Sequence, residues 1–157
     1  MTSILERRRI EAEFAKAIYD AMAAEIGREK ARRILSDAVI TLARATGAQF
    51  RAKEQGPTGL ESFAALLPLW QADDALEIEY LEKGEKRLAF NVTRCRYSEM
   101  YKAMGVGELG DALSCNRDGE FCTGYDPRIK LTRTQTIMKG APHCDFRYEI
   151  EDEPKKA

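Results

Sequence analysis

All four cysteines and the single histidine of this 157-residue chain lie between Cys95 and Tyr148. Along that stretch stand Cys95, Cys115, Cys122 and the pair His143-Cys144, interleaved with Asp118 and Asp145. Thiols, an imidazole and carboxylates are the side chains that hold metals, attack electrophiles or carry protons. The segment from Met1 to Arg94 has neither thiol nor imidazole, so chemistry is expected in the C-terminal part. Cys115 precedes Arg117 and Asp118, and nearby charge is what turns a thiol into a nucleophile. His143 has the only side chain whose ordinary pKa suits proton transfer near neutrality. Its place after Pro142 also fits a plain surface turn.

Cys95, Cys115 and Cys144 are soft donors that suit zinc, with His143 as a fourth candidate if it stays in the turn. No Cys-x-x-Cys pair is present, so the usual structural-zinc spacing is missing. Ligands drawn from separate elements would fit a catalytic ion with an open position. A divalent metal and a metal-free thiol mechanism both stay open. Arginines are dense here too, at 94, 96, 117, 128, 133 and 147. Arg133, alternating with Leu131, Gln135 and Ile137, is the preferred grip for a substrate carboxylate.

These groups need a scaffold, and the period of the sequence supplies one. Ile10, Phe14, Ile18, Met22 and Ile26 recur at helical spacing and stop at Gly27. A second helix carries Ile34, Leu35, Ala38, Val39 and Leu42 and ends near Gly47. Thr58-Gly59-Leu60-Glu61 has the form of a capping box, opening a third helix disturbed at Pro68. Near Ala75 the period changes to alternation. Leu76, Ile78 and Tyr80, a turn at Glu82 to Glu85, and Leu88, Phe90 and Val92 predict a β-hairpin. By strict alternation Cys95 points away from the Leu88/Phe90/Val92 side. Short helices are expected over Ser98 to Met104 and Glu108 to about Cys115, and strands over Ile129 to Met138 and Cys144 to Glu151. In the last strand Cys144 shares a face with Phe146, Tyr148 and Ile150. The expected architecture is α+β, an N-terminal helical layer packed on an antiparallel β-sheet, in one domain over residues 1–150. Residues 151–157 read as a frayed tail.

Composition narrows the partners. A formal charge of −1 gives no net field to draw nucleic acid or a membrane surface. Arg7-Arg8-Arg9, flanked by Glu6 and Glu11, reads as a solvated helix face. No apolar run approaches the roughly 20 residues needed to span a bilayer, and the N-terminus lacks a secretory signal. A cytoplasmic location with reduced thiols is expected, with a small-molecule substrate as partner and homo-oligomerisation left open.

Several ordered motifs then carry a resemblance. They are Thr93-Arg94-Cys95-Arg96-Tyr97 with Glu99-Met100-Tyr101, Gly105 with Glu108-Leu109-Gly110, and Cys115-Asn116-Arg117-Asp118. Arg133-Thr134-Gln135-Thr136-Ile137, Gly140 and Cys144-Asp145-Phe146-Arg147-Tyr148 complete them. Together they resemble the L-2-amino-thiazoline-4-carboxylic acid hydrolase family. The resemblance implies hydrolytic opening of a small ring at an amidine-like carbon, giving a carbamoyl-cysteine in the named case. It places Cys95, Cys115, Asp118 and Cys144 at motif positions, while His143 is a weaker match and Cys122 falls outside. The reading is a hydrolase with Cys115, Asp118 and His143 as catalytic candidates, Arg133 for substrate, and Cys95, Cys115 and Cys144 for zinc. A non-catalytic small-molecule or metal-sensing domain is the alternative. A helical interaction scaffold is a third reading, and it requires an exposed apolar stripe on the N-terminal helices.

Overall fold

The computed structural model describes residues 1–151. Two long helices open it, α1 (Ile4–Ile26) and α2 (Arg28–Lys53). The Ser3 hydroxyl starts α1 by accepting the Glu6 backbone N–H at 3.2 Å. Gly27, at φ +89°, makes the break between the helices in a region that favours glycine. Two short helices follow, α3 (Leu60–Ala64) and α4 (Leu67–Gln71). Pro68 sits in the first turn of α4, where its missing N–H costs nothing. The expected capping box uses other partners. Ser62 Oγ accepts the Gly59 N–H at 3.0 Å, and the Thr58 hydroxyl donates to Asp126 at 2.9 Å.

The hairpin forms as expected, with β1 (Leu76–Lys83) and β2 (Arg87–Cys95). After it come α5 (Arg96–Ala103), α6 (Arg117–Tyr125), β3 (Ile129–Thr132) and β4 (Cys144–Ile150). The sheet is antiparallel in the order β1-β2-β4-β3. Its inner face carries Leu88, Phe90, Val92 and Tyr148, which pack against Leu60, Phe63 and Leu67 of the short helices and against α6. The architecture is therefore α+β. Among the described residues no helix is long and apolar enough to cross a membrane. The tail beyond Glu151, expected to fray, lies outside the described residues.

Three departures from the expected elements matter for the site. In β2 the pairing runs Ile78 to Val92, then Glu77 to Arg94 and Leu76 to Cys95, so Thr93 is an extra residue. That bulge reverses the alternation and turns Cys95 to the same side as Val92, correcting the outward placement. The strand expected over Ile129 to Met138 ends at Thr132. The Asp145 carboxylate draws the chain away by accepting the Thr134 and Gln135 N–H groups, each at 2.9 Å. Helix α6 has no signal in the sequence, because Arg117 to Tyr125 contains two glycines and no clear period.

Packing accounts for α6. A Cβ on Gly124 would run into the Arg44 carbonyl, and one on Gly47 into the Phe121 carbonyl. The glycines let α2 and α6 cross backbone to backbone, which outweighs their poor helix propensity. Gly124→Ala is expected to lower stability by about 1–3 kcal/mol, read as a lower denaturant midpoint at unchanged slope. A parental midpoint would show that the two helices separate freely.

Candidate functional site

After α5 and a short 3-10 turn at Gly107–Leu109, a π-helical turn over Asp111–Cys115 leads into α6, marked by the Asn116 N–H donating to the Asp111 carbonyl at 2.9 Å. Such wide turns reorient side chains and recur at functional sites. This one presents Ser114 and Cys115 to the molecule's interior, and the start of α6 adds Arg117 and Asp118. Opposite them stand Cys95 at the end of β2 and Cys144 at the start of β4, both on the inner face of the sheet. Three of the four cysteines thus line one cavity. Cys122 is fully buried in the core and borders neither part of it.

The cavity has two lobes sharing a wall. One is the thiol lobe, with Cys95, Cys115, Cys144, Tyr97 and Arg133. The other is aromatic, bounded by Phe63, Phe90, Phe121 and Tyr148 and by aliphatic side chains. Arg8, Arg117, Asp118, Trp70 and Phe146 belong to both.

Charge around the cavity is unbalanced. The side chains of Arg8, Arg117 and Arg133 are exposed by 11, 12 and 15 %. Two carboxylates face these cations. Glu11 accepts from Arg8 and Arg117, each at 3.0 Å, and Asp118 accepts from Arg133 at 2.6 Å. Arg133 is further tied to the Cys115 carbonyl at 3.0 Å, and Arg117 to that of Leu113 at 2.7 Å. Arg8 has Glu11 as its only hydrogen-bond partner among the described residues. A surplus positive charge in a secluded space favours an anionic ligand.

Burial sets the protonation. It pushes the Cys95 thiol up to about 11, partly offset by the Ser98 N–H that its sulfur accepts. Cys144 is raised the same way, with its sulfur accepting the Ile137 N–H at 3.2 Å. Cys115 is raised further, by burial and then by Asp118, against a smaller pull from Arg133. The neighbouring charge read from sequence therefore does not make Cys115 a thiolate. Burial also raises Asp118, and the guanidinium of Arg133 opposes this without cancelling it.

Cys115, Asp118 and Arg133 are thus brought together, with Cys95 and Cys144 across from them. His143 borders neither lobe; it lies in the turn before β4, where its carbonyl accepts from the Gln135 side chain at 2.9 Å. The three thiols suit zinc by type. Yet among the described residues no group of three or more His, Cys, Asp and Glu side chains is arranged to hold a metal ion. Arg8 was missed because it was read with its neighbours as solvated. Its signal is the row Arg8, Ala12, Ala15 and Tyr19, a helical face on which Ala12 and Tyr19 are buried.

A family model for L-2-amino-thiazoline-4-carboxylic acid hydrolase matches residues 7–148. The chain belongs to this family. The match takes in both walls of the cavity, from Arg8 in α1 to Tyr148 in β4, and the family's name is that of a hydrolase. No curated protein matches the sequence significantly.

Solved structures share the fold of this aminothiazoline-carboxylate hydrolase family member at low identity. The phenol-responsive sensory domain of the transcription activator PoxR, crystallised with phenol, aligns at TM-score 0.53 and 11% identity, over 85% of this chain and 71% of that one. Trafficking protein particle complex subunit 3 from Naegleria fowleri, covalently bound to palmitic acid, aligns at TM-score 0.55 and 7% identity, over 96% and 98%.

Proposed function

We propose that the protein hydrolyses a small carboxylate-bearing heterocycle, of aminothiazoline or thiohydantoin type, by adding water to its amidine-like carbon. The observation that carries this reading is the cavity lining, where a partly buried carboxyl of raised pKa, Asp118, stands among three arginines. Arg8 and Arg117, which line both lobes, hold the substrate carboxylate, while Arg133, which lines the thiol lobe alone, positions Asp118. This moves the carboxylate grip from the residue favoured by sequence to its neighbours.

Asp118 carries the protons. Its ionised form takes one from the attacking water as the water oxygen bonds to the ring carbon, and the C=N electrons pass to the ring nitrogen. The tetrahedral intermediate collapses by breaking the bond to the other ring heteroatom. One proton of the water ends on the ring nitrogen and the other on the departing atom. Arg133 orients Asp118, and the protonated Cys115 thiol sits beside the reacting centre as a neutral donor to the developing charge.

Among the described residues Cys95, Cys115 and Cys144 are not arranged as a group that could hold a metal ion. Turnover is therefore expected to survive prolonged dialysis against EDTA. Loss on chelation with recovery on zinc addition would assign Cys95, Cys115 and Cys144 to a metal instead. The function itself is tested by incubating purified protein with carboxylate-bearing aminothiazoline and thiohydantoin rings and following ring opening by mass spectrometry. Binding of such rings without turnover would favour the sensing alternative. The aromatic lobe gives that alternative its support, since it suits an apolar ligand of the kind two proteins of this fold carry.

A further inference from the structure

On α1 the apolar residues at regular helical spacing face outward. Ile10, Phe14 and Ile18 are exposed by 50, 72 and 40 %, while Ala12 and Tyr19 take the buried face. Ala17 and Ala21 are exposed along the same stripe. The other charges of this helix are mostly satisfied in place: Glu6 and Glu13 by Arg9, Arg8 by Glu11, and Lys16 by Asp20. Arg7 and Glu25 are the exceptions. Both are exposed and neither has an ion-pair partner among the described residues. Five turns separate them, at about 3.6 residues per turn, so they share one azimuth with the stripe between them.

We infer that this face seats a second copy of the chain, with α1 pairing antiparallel to α1 about a two-fold axis. That operation sets Arg7 of each copy against Glu25 of the other and Phe14 against Ile18, with Ile10 at the edge of the contact. Ala17 and Ala21 allow the backbones to approach closely. An interface of this kind is isologous, needing one self-complementary patch. A parallel pairing would oppose like charges at both ends. A bilayer would favour a rim of Lys and Arg over one ending in Glu25. Helix α2, packed along α1, exposes Ile34 and Leu42 as well. These are available to extend the contact toward the roughly 800 Å² per partner that a stable interface buries.

Sedimentation equilibrium tests the pairing. The unaltered chain is expected at twice its 17.7 kDa mass. Arg7→Glu alone and Glu25→Arg alone each place like charges at both ends and are expected to weaken self-association at least tenfold. Mixed in equal amounts, the two variants are expected to regain the parental affinity, because every end again joins opposite charges. Phe14→Glu, with an unchanged circular dichroism spectrum, is expected to be monomeric. A monomeric parent, or a dimer indifferent to all three substitutions, overturns the inference. A monomer that sediments with phosphatidylcholine–phosphatidylglycerol vesicles overturns it too, in favour of a bilayer.

Discussion

Asp118→Asn is expected to lower kcat for ring opening by about 10²–10⁴ while the fold is retained. The amide keeps an acceptor for Arg133 and removes the only carboxyl in the cavity lining among the described residues. The pH dependence carries a matching signature. With its pKa raised by burial, Asp118 is ionised, and so able to act as a base, only above the ordinary aspartate value of about 3.9. The parental rate is expected to climb with pH through that raised pKa, giving an acid limb higher than a free aspartate would, and the variant to lack this limb. Stability has the opposite sign. A raised native pKa favours folding in the protonated form, so its contribution is present below the unfolded value and lost as pH rises through the folded one. Near-parental turnover, or an unchanged acid limb, would take Asp118 out of the chemistry.

The second large effect is expected at Arg8. Arg8→Met keeps an apolar stem against the cavity wall and removes the guanidinium, and Glu11 retains Arg117 as partner. Hydrogen bonds to a charged group contribute about 1.5–3 kcal/mol, so KM for a carboxylate substrate should rise by roughly ten- to a hundredfold. The corresponding substrate amide should bind the variant and the parent alike. Equal losses on both substrates would reduce Arg8 to a packing role.

How much of this was legible in the sequence depends on how local each cause is. The hairpin was readable because Leu76 to Tyr80 and Leu88 to Val92 alternate strictly. The convergence of Cys95, Cys115 and Cys144 was expected, but not the means. Cys95 reaches the cavity through a bulge at Thr93, one extra residue that no periodicity announces. Helix α6 depends on the fit of Gly47 and Gly124 between two backbones distant in sequence. On α1 the regular spacing of Ile10, Phe14 and Ile18 announced a helix without saying which side meets the body, and those three are exposed. The small face at Ala12 and Ala15 packs more closely against the body, and it carries Arg8 inward. The protonation of the thiols was beyond the sequence, since Arg117 adjoins Cys115 in the chain while burial decides the pKa in space.

A crystal of the Asp118→Asn protein soaked with a carboxylate-bearing aminothiazoline is the most direct test. The expected density has the carboxylate within hydrogen-bond reach of Arg8 and Arg117, with the amidine carbon beside the side chain at position 118. A ring seated wholly in the aromatic lobe, its carboxylate directed to solvent, would contradict the proposed site.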